Sequence, residues 1–446
     1  MRCRLPTTAV ALALLGSAPL SAQGLLGQVS SLFIFGPGQD PLFLAGSADP
    51  NNPASIREHG SHFIPAAVSA NGTLISFLTE AIGANVANVP LSASSGGETF
   101  RFVGGVPERT STSAGPVFGE RAQTLGRGRV LAGINRSSFH FQTLRGVDLH
   151  NIQLTFTHEN VNFPGCDSIF HGPCSQMGIP PVENDIMNFN LSLDIHVDVT
   201  SLYLTYGVLD RLDLGVVVPI VSTSLTGSSV AQIVPFGGPP VSHFFGGTPE
   251  NPVLTASRNA SGSALGLGDV ALRVKLNVRQ TQRTSVALFG DARFPTGSRN
   301  DLLGSGFFAA RALAVVSSTF GAFSPHINAG YLHRRTGDQN DALLGTLGFD
   351  QLLSKHVTMA ADLVSELQVG DSKLVLPGPV HYDFPFQRTV IPTTIPDTRD
   401  DIVNGSFGLK YTTDGGLTLI GNALFPLNRG GLRPGVSYTA GVEYTF

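Results

Sequence analysis

The sequence predicts an all-β fold: a transmembrane antiparallel up-and-down β-barrel of about 14 strands, with 12 as the alternative count. Three observations carry this. Apolar and polar residues alternate along one segment after another. The connections between those segments alternate short and long. The chain then stops on an aromatic strand, "SYTAGVEYTF". Period-two alternation is the signature of a β-strand. Sorting of loops by length describes a membrane barrel with periplasmic turns and extracellular loops.

The chain divides into residues 1–22, 23–96 and 97–446. Arg2 and Arg4, the apolar run Ala9 to Leu15 and the small residues up to Ala22 read as a signal peptide cleaved after Ala22. Gln23 stands where a lipoprotein would carry cysteine. No later run approaches the roughly 20 apolar residues of a helical span. Charged residues are 13 % of the 446, and the net charge is −4. That gives no basic footprint for nucleic acid. Cys3 leaves with the signal peptide. Cys166 and Cys174 form an even pair and read as one disulfide in an oxidising compartment. A metal at this pair would recruit His158 or His171, and no ligand spacing supports it.

Residues 23–96 do not alternate. In "NGTLISFLTEAIGANV", Leu74, Phe77, Leu78, Ala81 and Ile82 recur at helical spacing. This helix either plugs the lumen from the periplasmic side or packs outside the barrel mouth. Strands are expected near 130–142, 149–158, 186–206, 211–224, 266–279, 284–295, 306–317, 322–333, 340–350, 356–369, 401–412, 416–427 and 435–446. Parity requires an even number. "ETFRFVGGV", Glu98 to Val106, supplies the missing first strand.

One strand poses the question of which face looks where. "NLSLDIHVDVT" sets Leu193, Ile195, Val197 and Val199 against Asp194, His196 and Asp198. In a membrane barrel the aliphatic face is expected to meet lipid. Asp194, His196 and Asp198 are then lumen-lining candidates, with Arg273, Lys275, Asp291, Arg293, Asp362 and Glu366. An Arg or Lys facing lipid at midplane would cost roughly 2–4 kcal/mol.

The last strand resembles the closing strand of bacterial outer-membrane barrels, whose assembly signal falls here on Thr439, Gly441, Tyr444 and Phe446. That resemblance implies the bacterial outer membrane as location, and outer-membrane lipid and the barrel-assembly machinery as partners. "LTYGVLDRLDLGVVVPIV", "GLGDVALRVKLNV" and "RFPTG" resemble the outer-membrane barrel family named for a meta-pathway of phenol degradation. The specific positions are Tyr206, Gly207, Asp210, Arg211 and Asp213; Gly266, Gly268 and Asp269; and Pro295, Thr296 and Gly297. "NNPAS", with Asn52, Pro53 and Ala54, is loosely similar to the hatch motif of long-chain fatty-acid channels.

The resemblance implies a channel or transporter passing small hydrophobic or aromatic molecules by passive diffusion. A non-conducting structural barrel is the alternative. Phe244 and Phe245 would offer solutes an apolar landing site, and Pro219, Pro295 and Pro426 mark either strand ends or a gap in the wall. No enzyme is expected. There is no Gly-x-Ser-x-Gly elbow, and Asn162 replaces the second histidine of a zinc-protease motif in "FTHENVN". No cofactor and no metal are expected.

Overall fold

Each alternating segment has one face that must leave water and one that must not, and a sheet of such strands satisfies both by closing into a cylinder. In the computed structural model this is what happens. It describes residues 24–35, 41–47, 51, 75, 77, 78, 81, 82, 100–103, 106–109, 113–157, 184–336, 339–382 and 387–446. The wall sheet comprises β1 (Val130–Leu144), β2 (Ile152–Thr157), β3 (Ile186–Leu209), β4 (Leu212–Val234), β5 (Thr255–Leu267), β6 (Ala271–Gln280) and β7 (Thr284–Arg293). It continues with β8 (Ala309–Ser318), β9 (Phe323–Arg334), β10 (Ala342–Leu352), β11 (Val357–Gln368), β12 (Ile402–Thr412), β13 (Leu417–Pro426) and β14 (Ser437–Thr445).

Among the described residues, twelve of these close the ring: β1, β3, β4 and β6 to β14, every pair antiparallel. The count is the sequence's alternative of 12. Two of the fourteen expected strands leave the ring for physical reasons. β2 pairs only with the far part of β3, beyond the residues that β1 occupies. The expected first strand instead forms Phe100–Val103, which pairs with Val106–Arg109 in a separate hairpin. β1 begins and β14 ends at the short-turn end, where Val130 and Phe446 exchange two backbone hydrogen bonds of 2.8 and 2.9 Å. Such barrels keep short turns on the periplasmic side.

β3 has 24 residues and β4 has 23. A tilted membrane-spanning strand needs only about 9–11. The surplus stands above the membrane, and the outer face records where. On β3 the outward residues Leu202, Leu204 and Tyr206 are exposed and apolar, whereas Asn188, Asn190, Asp194, His196 and Asp198 further up are polar. β4 changes between Ile220 and Ser222, β5 between Leu265 and Ser263, and β1 between Ile134 and Arg136. The register aligns these changes: Ile134 faces Leu202, Thr200 faces Ile220, and Ser222 faces Leu265. One level therefore separates lipid from water around this side of the cylinder.

Asp194, His196 and Asp198 consequently do not line the lumen. Ile195 and Val197 are 0 % and 1 % exposed, while the three polar residues stand on the outer face. The expectation fails because strand period two is the same whichever face is inside. Above the lipid level water lies outside and a protein core lies within. That core unites Phe139, Phe189, Leu193, Ile195 and Val197 with Leu25, Val29, Leu32 and Phe33 of the N-terminal segment. Phe33 stacks on Phe189, with centroids 4.6 Å apart.

The helical residues 75, 77, 78, 81 and 82 also belong to this upper core. Phe77, Leu78, Ala81 and Ile82 are buried, and the guanidinium of Arg145 lies 5.0 Å from the Phe77 ring centre. They sit at the long-loop end and form no periplasmic plug. Phe244 is buried, and Phe245 packs edge-on to Phe35 at 5.2 Å, so neither forms an open landing site. The signal peptide, the hatch-like Asn52, Pro53 and Ala54, and Cys166 and Cys174 lie outside the described residues.

Candidate functional site

What occupies the transmembrane lumen is a stretch of chain that carries no strand pattern. Residues 113–125, "SAGPVFGERAQTL", cross the inside of the barrel in its short-turn half, from Thr358 and Asp350 on one side to Asp213 on the other, and all but Phe118 are buried. A segment without a ladder leaves its amides and carbonyls in need of partners. Side chains on the inner faces of the wall supply them. Asn328 accepts from the Glu120 amide at 2.7 Å and donates to the Glu120 carbonyl at 2.9 Å. Ser317 accepts from the Ala122 amide at 3.1 Å, and Asn277 donates to the Ala122 carbonyl at 2.8 Å. Thr358 accepts from the Ala114 amide at 3.0 Å.

Charge fixes this strap more firmly. Lys275 Nζ lies 2.7 Å from Glu120, and Arg121 pairs with Asp350, both pairs almost wholly buried. Removing one partner of a buried pair strands the other charge in a low dielectric and typically costs about 3–5 kcal/mol. Lys275→Met is expected to destabilise the folded barrel by about that amount, measured by urea titration in detergent. Adding Glu120→Gln should return most of the loss, because the two effects are one interaction.

The strap leaves the lumen through the β3–β4 turn. Asp213 accepts from the Leu125 amide at 3.0 Å, and Thr124 Oγ1 donates to the Asp210 carbonyl at 2.8 Å. Gly128 and Arg129 then bond the Gly207 backbone at 2.7 and 2.9 Å. A side chain at Gly207 would put its Cβ 1.9 Å from the Gly126 carbonyl oxygen, so this close approach requires glycine. The motif "YGVLDRLD" is thus the clamp that holds the strap at the periplasmic end.

Higher up, Arg273, Arg293 and Arg311 surround Asp291 at 2.9, 3.6 and 3.3 Å, and Arg334 pairs with Glu366. Above the strap a cavity of about 130 Å³ lies between these charges and an apolar side. Its apolar side includes Phe118, Leu313, Leu332, Leu344 and Val364, and its polar side includes Glu120, Arg293, Arg311, Arg334 and Glu366. Arg273, Lys275, Asp291, Arg293, Asp362 and Glu366 all sit on inward faces, Asp362 joined to His326 at 2.7 Å. Gly441 faces inward, where a Cβ would lie 2.7 Å from that of Asn135. Tyr444 and Phe446 face outward, with ring centres 5.6 Å apart.

The wall itself is split on the neighbouring strand, above Ala271, which pairs with the cavity-lining Arg293. β4 pairs with β6 along its lower residues and with β5 along its upper ones. β5 and β6 are therefore one descending strand broken at Gly268, Asp269 and Val270. The outer edge of β5 has no strand partner among the described residues. The loop after β7 fills the break. Thr296 Oγ1 donates to the Gly268 carbonyl at 2.6 Å, and Asp269 accepts from the Gly297 amide at 3.1 Å and the Ser305 amide at 2.7 Å. The Gly268 amide donates to the Pro219 carbonyl at 2.8 Å. The motifs "GLGD" and "PTG", far apart in sequence, meet here with Pro219. On the inner side α1 (Leu25–Ser31) covers the same break, with Leu25 against Gly262 and Leu26 bonded to Asn300 at 2.9 Å.

Sequence reasoning missed the strap with its Glu120 and Arg121, its partner Asp350, and the inward-facing His326 and Glu443. The available signal was weak: an adjacent acid and base in a stretch of small residues, with no periodicity to place them.

A closed cylinder with an apolar belt outside, ion pairs within and its own chain threaded through it defines an outer-membrane-type β-barrel with an occupied lumen. The chain belongs to the family described as "Putative MetA-pathway of phenol degradation", matched over residues 188–429, more than half its length. No curated protein sequence matches it. Among solved structures it is similar to an outer membrane channel from Pseudomonas putida F1, at 12 % identity over 73 % of this chain and 98 % of that one, with a TM-score of 0.39. It is also similar to a Pseudomonas aeruginosa FadL homologue, at 13 % identity over 71 % and 89 %, TM-score 0.31. The P. putida toluene transporter TodX aligns at 9 % identity over 71 % and 89 %, TM-score 0.31.

Proposed function

We propose that the protein passes small hydrophobic or aromatic molecules into the outer membrane by passive diffusion, with no catalytic step. The observation that carries this is the split at Gly268–Val270. It lies where the outer face turns apolar, at Leu265 and Leu267, and Ala271 at its lower edge pairs with Arg293, which lines a cavity with an apolar side. A roughly 150 Å³ apolar cavity is enough to hold benzene. An apolar solute that enters from the long-loop end has lipid beside it at the split. It need not cross the strap and its ion pairs, which would be costly ground for a molecule without charge. The signal peptide delivers the chain to the envelope, and Gly441, Tyr444 and Phe446 hand it to the barrel-assembly machinery.

The test uses a membrane with a lipopolysaccharide outer leaflet, because apolar solutes cross plain phospholipid unaided. Toluene uptake should be several-fold faster with the protein than without it. Asp269→Ala frees the loop that covers the split and should raise that uptake further, while ion conductance stays unchanged. Equal uptake with and without the protein would refute the reading. The buried strap favours a second reading, a non-conducting structural barrel. That reading expects neither uptake nor conductance from the intact chain.

A further inference from the structure

The three polar residues that the lumen gave up converge on the outer wall. β1 and β3 pair so that His140 stands directly opposite His196, and Asp194 is the next outward residue along β3. The imidazole rings stack with centroids 3.9 Å apart and planes 13° apart. His140 Nε2 lies 3.2 Å and His196 Nε2 lies 3.1 Å from the same oxygen, Asp194 Oδ1. Yet His140 Nε2 and Asp194 Oδ1 are shielded from solvent and have no hydrogen-bond partner. The atoms are close enough for hydrogen bonds but not aligned for them. One potential ligand atom from each residue falls within 4.8 Å of the other two.

We propose that His140, Asp194 and His196 form a binding site for a transition-metal dication of the zinc class. Nitrogen and oxygen ligands about 2.0–2.1 Å from a tetrahedral ion stand about 3.3 Å from one another, close to the two nitrogen–oxygen distances seen here, of 3.2 and 3.1 Å. Two imidazoles with a single carboxylate suit zinc, nickel or copper; calcium and magnesium require more oxygens. Three protein ligands leave a fourth position open to water. The site stands above the lipid level, directly beyond the exposed Arg136–Asp198 pair, which is 2.9 Å apart. A bound ion there joins β1 to β3 in the part of the wall that projects from the membrane.

Zinc is the probe, titrated into the full-length, tag-free protein in detergent against a chromogenic chelator. The result expected is one zinc per chain, a raised Tm, and an X-ray absorption spectrum with two imidazole ligands. His140→Ala and Asp194→Asn should each weaken binding at least ten-fold, since even outer-shell changes cost 10- to 100-fold. His150→Ala, at an exposed histidine paired with Asp148, should leave it unchanged. All variants must retain the heat-modifiable gel shift of a folded barrel, which these outward substitutions are expected to spare. No stoichiometric zinc at micromolar concentration overturns the proposal. So does a His140→Ala/His196→Ala variant that binds as tightly as its parent.

Discussion

Replacing residues 114–123 with a Gly-Ser stretch of equal length is expected to turn a closed barrel into a conducting one. Single-channel conductance should rise at least ten-fold over the intact chain. The length is kept because the strap is anchored on both sides of the lumen, Ala114 on Thr358 and Leu125 on Asp213, and a deletion would pull one anchor from the other. The replacement removes Glu120 and Arg121, so Lys275 loses its pair with Glu120 and Asp350 its pair with Arg121. Unpaired buried charge recruits water wherever water can reach. The physical prediction is hydration of the lumen, and with it ion flow. An unchanged conductance, in protein that still shows the folded-barrel gel shift, would mean that the strap is not what closes the lumen.

The second large effect concerns the inverted polarity of β3. Ile195→Asp places a carboxylate in the apolar upper core with no cation provided for it. Burying such a group costs several kcal/mol, enough to lose much of the folded population in a urea titration. Asp198→Leu should shift the same titration by less than about 1 kcal/mol, because it removes only an exposed pair with Arg136. Leu204→Arg, on the same strand but facing lipid, should cost about 2–4 kcal/mol if it lies near midplane. If Asp194, His196 and Asp198 lined the lumen, the order would reverse. Asp198→Leu would then be the damaging change and Ile195→Asp a problem only of lipid contact. The ranking of the three variants decides between the two arrangements in one set of measurements.

Much of this architecture could be read from residues alone. The twelve ring strands fall where the alternation places them, and the alternation of loop lengths placed both ends of the wall at the short-turn end. The inversion on β3 was also legible. Apolar residues occupy odd positions through Val199, then even ones from Leu202, while the register with β4 continues unbroken through Thr200 and Ser201. A strand twice the length of a membrane span, with its apolar phase slipping midway, has two solvents outside it. By contrast, Phe100–Val103 alternates like a wall strand but, among the described residues, pairs only with Val106–Arg109. Alternation shows that a segment can pair and never with what.

By itself the sequence determined the barrel, because a two-residue period and the apolar belt are properties of single strands repeated along the chain. Tertiary structure alone decided three things. It decided that residues 113–125 fill the lumen, since their partners on the wall lie 86 to 296 positions away. It decided that "GLGD" and "PTG" meet at a split in the wall. It also decided that His140 stands against Asp194 and His196, which depends on the register of two strands separated by a long loop. Each is a contact between distant positions, where chain entropy and closure set the outcome and no local pattern records it.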